Sequence, residues 1–111
     1  MNISQALAVS HIFAALPVGR NIWAEELCKQ IGIVNVLAIS GGRKIKNGSS
    51  VIFPVSNGYF VTVTLNVWDL YDVKLFKANK NKAVVKSEWS NVGAENISET
   101  AYQASCFNNY V

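Results

Sequence analysis

The chain has 111 residues, a formal net charge of +3 and a pI of about 9.0. Half of its residues are hydrophobic and 15% are charged, which predicts one compact domain over residues 1–111 and excludes a disordered chain. The charge is lower than a dedicated nucleic-acid-binding protein usually carries. So few charged residues also allow an apolar surface that a partner would cover.

The first two segments predict helices. A capping-box pattern at Asn2 opens an apolar stretch with helical spacing, which ends at Pro17. The stretch contains His11, the only histidine, so a histidine cluster is excluded. It lacks the basic start of a signal peptide, and no segment is long enough to span a membrane, so we expect a cytoplasmic protein. A second helix is predicted from Asn21 to Gly32.

A strand is predicted from Ile33 to Ser40, because both alternating sets of side chains there are apolar, as in a strand covered on both faces. A basic loop follows Gly41 and contains Arg43, Lys44 and Lys46. Its glycines and lysines invite comparison with loops that cradle phosphate. It has no Walker pattern and no following helix, so a solvated hairpin loop is the preferred interpretation.

The centre of the predicted sheet is the segment 58–77. Apolar side chains at odd positions alternate with Thr62, Thr64 and Asn66, which predicts one buried face and one wet face. The side chains expected under the helices are Val61, Val63, Leu65, Val73 and Leu75. A shorter strand before this segment contains Pro54, which has no N–H to donate and therefore favours a sheet edge.

The connection around Trp68, Asp69 and Leu70 predicts a loop of roughly three to five residues. Asp69 is a candidate acceptor for backbone N–H groups in this loop. Asp69 and Asp72 also have a functional interpretation as a carboxylate pair. Turn chemistry and a solvated strand face explain them more simply.

A lysine-rich hairpin follows, with Lys74, Lys77, Lys80, Lys82 and Lys86 and no acid between the first and the last of these. Its second strand is predicted from Ala83 to Trp89. The final segment, about residues 92–107, predicts a helix with small apolar residues on one side. The two cysteines, Cys28 and Cys106, fall in different predicted helices without metal-ligand spacing. They form either a disulfide or two thiols in a reducing cytosol, and the second interpretation is preferred.

These elements predict an α+β fold. Two N-terminal helices precede an antiparallel meander sheet of about four to five strands, and a C-terminal helix packs on one sheet face.

The order of motifs resembles a group of small uncharacterised proteins common in phages and other mobile elements. The resemblance covers about residues 24–107 and is sharpest over the Thr-Leu-x-x-x-Asp-Leu-Tyr-Asp-Val pattern that ends at Val73. The motifs that carry it are Gln30-Ile-Gly32, Leu37-Ala-Ile-Ser-Gly41, Phe53-Pro54, Val61-Thr-Val-Thr-Leu-Asn66, Asp69-Leu-Tyr-Asp-Val73 and Val92-Gly-Ala-Glu-Asn-Ile97. The resemblance implies a phage or mobile-element setting inside a host cell. It carries no reaction and no catalytic residues, and the first helix is an extra element.

We therefore expect a non-enzymatic accessory protein that binds a host or phage protein, with inhibition of a bacterial defence system as one form. No catalytic, cofactor-binding or metal-binding residue is predicted. The alternative is a nucleic-acid-binding module in which lysines track phosphates and aromatic side chains stack bases. Homodimerisation, and a small enzyme built on Asp69, Tyr71 and Asp72, are further alternatives. The candidate partner or nucleic-acid surface consists of Arg43, Lys44, Lys46, Lys74, Phe76, Lys77, Lys80, Lys82, Lys86 and Trp89.

Overall fold

In a computed structural model the described residues form four helices and one five-stranded antiparallel sheet. The structure describes residues 3–15, 24–47, 50–55, 58–66, 68–79 and 82–106, and within them all side chains except those of 3–6, 13, 15, 24–26, 46–47 and 79. The helices are α1 (Ile3–Ala15), α2 (Ala24–Ile31), α3 (Ile33–Ser40) and α4 (Ile97–Cys106). The strands are β1 (Ile45–Asn47), β2 (Ser50–Pro54), β3 (Tyr59–Leu65), β4 (Tyr71–Asn79) and β5 (Lys82–Val92).

The strands lie side by side in chain order, and each is antiparallel to the next. This meander, with a C-terminal helix packed on it, confirms the predicted α+β class and strand number. β3 and β4 are joined by residues 66–70, which matches the predicted loop length. The predicted positions Asn2, Pro17 and Asn21 lie outside the described residues.

One sheet face carries the main core. All five side chains that the alternation assigned to this face are buried there, against residues of α2, α3 and α4. From α4 the contacts come from Ile97, Ala101 and Ala104, all fully buried. Two of the three are alanines, and their small side chains let the helix lie close to the sheet.

The other sheet face is not the wet face that the alternation predicted. Thr62 and Thr64 are 0% and 1% exposed, and every residue of β3 is buried. Their hydroxyls are paired within the sheet: Ser50 Oγ lies 2.9 Å from Thr64 Oγ1, and Thr62 Oγ1 lies 3.5 Å from the Lys74 carbonyl oxygen. A threonine strand face is therefore compatible with burial when such partners are present.

Helix α1 packs against this second face. Its Val9 and Ile12 form a second apolar cluster with Ile52, Phe60 and Phe76. The first helix is thus an integral layer of the domain, with the sheet lying between α1 and the other three helices.

His11 ties α1 to the edge of the sheet. Its Nδ1 accepts a hydrogen bond from the backbone N–H of Ala83 in β5, at 3.1 Å. A neutral imidazole that accepts at Nδ1 carries its proton on Nε2. The single histidine therefore has a structural role at the junction of α1 and β5.

The strand predicted at Ile33–Ser40 is wrong, because this segment is helix α3. Gly32, with φ 90°, ends α2 and at once starts α3, since its carbonyl accepts from Val36 N at 3.0 Å. Gly41 closes α3 in the left-handed conformation, donating its N–H to the Leu37 carbonyl at 2.8 Å. Two glycines with positive φ therefore bound an eight-residue helix, and this local chemistry outweighs the strand preference of its branched residues.

We expect truncation of Ile12 to destabilise the whole domain. Ile12 is fully buried under the sheet, so Ile12→Ala should lower the free energy of unfolding by about 2–5 kcal/mol. Leu7 lies in the same helix but is 44% exposed, so Leu7→Ala should cost about 1 kcal/mol or less. Urea unfolding measures both. Equal effects of the two changes would show that α1 is not docked as described.

Candidate functional site

Helix α3 presents an apolar face to solvent. The helix contains no charged residue, and it turns Val36, Ile39 and Ser40 inward. On the opposite side Ile33, Val34 and Leu37 are 72%, 75% and 54% exposed, and Ala38 is exposed beside them. At about 100° per residue these four cover an arc of roughly 140°. We call them the α3 face.

Polar contacts fix the orientation of α3. Asn35 Nδ2 donates to the Ser98 carbonyl at 3.2 Å and also to the Ser98 hydroxyl. The same hydroxyl donates to the Ile31 carbonyl, so α4 is hydrogen-bonded to both ends of the α2–α3 corner. Ser40 Oγ donates to the Arg43 carbonyl at the other end of α3. The exposure of the α3 face is therefore set by bonds on its opposite side, since rotation of the helix would break them.

The chain on either side of α3 carries positive charge. Lys29 is exposed shortly before the helix, and Arg43 and Lys44 are exposed directly after it. Arg43 Nε donates to the Ser40 carbonyl at 3.1 Å, which holds the guanidinium against the C-terminal end of α3, where the helix dipole favours a cation. The α3 face is thus an apolar surface with positive charge at its C-terminal end.

The two predicted basic segments lie at opposite edges of the sheet. Arg43 and Lys44 lead into β1, whereas Lys82 and Lys86 are exposed on β5. Four strand spacings of about 4.8 Å separate these edges by roughly 20 Å. The side chain of Lys46 and the whole of Lys80 lie outside the described residues.

The prediction that Phe76 belongs to a partner surface is wrong. Phe76 is 1% exposed because α1 covers it. Lys77 Nζ lies 4.5 Å from the centroid of the Tyr59 ring, a cation–π contact, and Lys74 stands opposite Glu88 across the strand pair. Trp89 is half-buried and packs against the main core. The hairpin therefore lacks the pair of exposed aromatic side chains that base stacking was expected to use.

Asn66 organises the loop between β3 and β4. Its Oδ1 accepts from the backbone N–H groups of Trp68 and Leu70, at 2.9 and 3.2 Å. Asp69 was predicted as an acceptor in this loop. Asn66 accepts these two bonds, and Asp69 adopts a left-handed conformation with φ 60°. The loop so held carries Trp68, whose side chain is 74% exposed.

Asp72 belongs to the same network. Asn66 Nδ2 donates to Asp72 Oδ1 at 3.1 Å and to Asn91 Oδ1 at 2.8 Å. Asn91 N also donates to Asp72 Oδ1, at 3.1 Å. These bonds give Asp72 a structural role that joins the β3–β4 loop to the end of β5.

The α3 face was not predicted from the sequence, because the segment also fits a buried strand. A signal was available: Val36, Ile39 and Ser40 follow helical spacing, and glycines flank an eight-residue run. Periodicity alone does not separate a short buried strand from a helix that is apolar all round.

Cys28 and Cys106 are half-buried thiols in α2 and α4 and are not joined by a disulfide. Within the described ranges, no three His, Cys, Asp or Glu side chains gather as a metal ion would require. None of the described helices is long and apolar enough to cross a membrane.

No protein-family model matches this chain, and no curated protein and no solved structure shows a significant match to it.

Proposed function

We propose that this chain is a non-enzymatic binding protein that recognises another protein through the α3 face. The observation that carries the proposal is an uncharged helix with an all-apolar side in solvent. A helix that is hydrophobic all round is normally buried. Fully burying one Val, Leu or Ile side chain is worth about 1.5–3 kcal/mol, so covering this face is a substantial driving force for association.

The partner that fits is a protein with an apolar groove. The exposed residues recur at i, i+1, i+4 and i+5, so they follow one side of the helix as in helix-in-groove recognition. Arg43 and Lys44 stand exposed at the C-terminal end of this side. A matching groove would have an acidic rim there, since complementary charges speed encounter and fix orientation.

A second copy of the chain fits the face less well. Contact between two α3 faces would bring Lys29, Arg43 and Lys44 of both copies to one interface. Like charges brought together in this way oppose association. A heterologous, acidic partner avoids that repulsion.

The resemblance to phage and mobile-element proteins suggests that the chain acts inside a host cell. It suggests a host or phage protein as the partner, with inhibition of a bacterial defence system as one form of the activity.

We expect polar substitutions on the α3 face to abolish binding without unfolding the protein. Ile33→Gln combined with Leu37→Gln should lower the affinity for a purified partner by about a hundredfold, because two apolar contacts worth ~1.5 kcal/mol each are lost. Both positions are exposed, so the free energy of unfolding should change by only about 0.5 kcal/mol per site. The matched control is Val84→Gln with Val85→Gln, two exposed apolar residues on β5.

The experiment has three steps. The full chain captures proteins from a lysate of the cells that express it, mass spectrometry identifies them, and calorimetry measures the purified partner against each variant. Binding that survives Ile33→Gln/Leu37→Gln, or is lost equally in the control, contradicts the proposal. The proposal is also contradicted if light scattering detects a homodimer and if Ile33→Gln/Leu37→Gln dissociates it.

Nucleic-acid binding makes a different prediction. With Phe76 buried and Lys74 opposite Glu88, we expect binding to single-stranded and duplex DNA no tighter than millimolar at low salt. Fluorescence anisotropy at two salt concentrations measures this. Tighter, salt-dependent binding that is weakened by Lys82→Ala and Lys86→Ala, but not by Lys29→Ala, would favour the nucleic-acid alternative.

A further inference from the structure

A second surface lies on the far side of α4 from α3. An open groove of about 420 Å³ lies between the end of β5 and helix α4. Its lining residues are 89–92 of β5, Gly93 and Asn96 between β5 and α4, and Glu99, Thr100 and Gln103 of α4. Ser98 of the same helix points the other way, to α2 and α3, so the groove and the α3 face are separate.

The strand wall of the groove is shaped by a β-bulge. Tyr71 pairs with Val92 and Val73 pairs with Trp89, so β5 has one extra residue in this interval. Asn91 lies in this interval and has φ 57°. Its main chain and side chain are held by the bonds to Asp72 and Asn66. Bulges of this kind often redirect side chains beside binding sites, and here the bulge places Asn91 in the groove lining.

The helix wall presents a paired amide and carboxylate. Gln103 Nε2 donates to Glu99 Oε1 at 3.3 Å, one helical turn apart. A carboxylate has about four lone-pair positions, and a primary amide has a second N–H and a carbonyl oxygen. The pair therefore keeps both donor and acceptor capacity for a bound molecule.

We propose that this groove binds a neutral saccharide. Its lining residues include one tryptophan (Trp89), three with side-chain amides (Asn91, Asn96 and Gln103), two with hydroxyls (Ser90 and Thr100) and one carboxylate residue (Glu99). A sugar hydroxyl donates and accepts at once, so it matches amide and carboxylate side chains. The C–H face of a pyranose ring is apolar and matches the exposed part of an indole.

The charge of the groove selects against other small ligands. Its lining includes a carboxylate but no lysine or arginine, so a phosphate or carboxylate ligand would meet repulsion without a compensating cation. An apolar ligand would bury the remaining hydrogen-bonding capacity of the Glu99 carboxylate and the Gln103 amide without a partner, which is unfavourable. A neutral, hydroxyl-rich molecule satisfies the lining without either penalty.

The test is an NMR titration of the full, ¹⁵N-labelled chain. The probes are the methyl glycosides of glucose, galactose and mannose, N-acetylglucosamine, and inorganic phosphate as the anion. We expect at least one sugar to give saturable shifts confined to residues 89–103 in the millimolar range. Gln103→Ala should weaken that binding about fivefold, the loss of one hydrogen bond.

The matched control is Gln30→Ala, which removes an exposed glutamine from α2, away from the groove. It should leave the sugar affinity unchanged. The proposal is overturned if no sugar gives saturable shifts in residues 89–103, if phosphate alone gives them, or if Gln30→Ala weakens binding as much as Gln103→Ala. None of these outcomes depends on the partner of the α3 face.

Discussion

Burial of β3 on both sides is the constraint on which the rest of this structure depends. Each side chain from Tyr59 to Leu65 is buried, so both sheet faces need a cover. Helices α2, α3 and α4 cover one face and α1 covers the other. Both faces of the sheet therefore contribute hydrophobic stabilisation to the fold. Helix α1 is needed to cover the second face.

This arrangement determines which surfaces are left for partners. Closing the second face removes Phe76 from solvent and engages His11 with β5. Closing the first face uses the inner side of α3 and leaves Ile33, Val34 and Leu37 outside. Packing of the core thus leaves an apolar side of an uncharged helix in solvent. We infer that a partner binds this side. Helix α4 separates this surface from the polar groove, so the two proposed activities are independent.

The sequence predicted the parts of the fold that local patterns control. Alternation identified the buried set that includes Val61 and Leu75. The small apolar residues predicted on one side of the last helix include Ala101 and Ala104, which are buried, and Ala94, which is exposed and precedes α4. The burial of Phe76 was missed because it depends on α1, which is distant in sequence. Helix α3 was missed because an apolar run of eight residues fits either a covered strand or a helix, and here the positive φ of Gly32 and Gly41 decides.

The candidate site was less predictable than the fold. Arg43 and Lys44 were named in advance, and the structure places them at the end of the α3 face. The apolar residues of that face were assigned to the core, because exposure is a property of the packed molecule and not of residue type. The groove was not anticipated because its walls come from β5 and α4, and a bulge sets the position of Asn91. The resemblance to phage and mobile-element proteins stays a prediction.

The central claim is that the sheet is closed on both faces while the α3 face stands in solvent. Relaxation of methyl protons by a soluble paramagnetic agent tests this most directly on the full chain. We expect strong relaxation for the methyls of Ile33, Val34 and Leu37, which are exposed, and weak relaxation for those of Ile12 and Thr62, which are buried. Protected methyls on α3, or strong relaxation at Ile12 and Thr62, would contradict it.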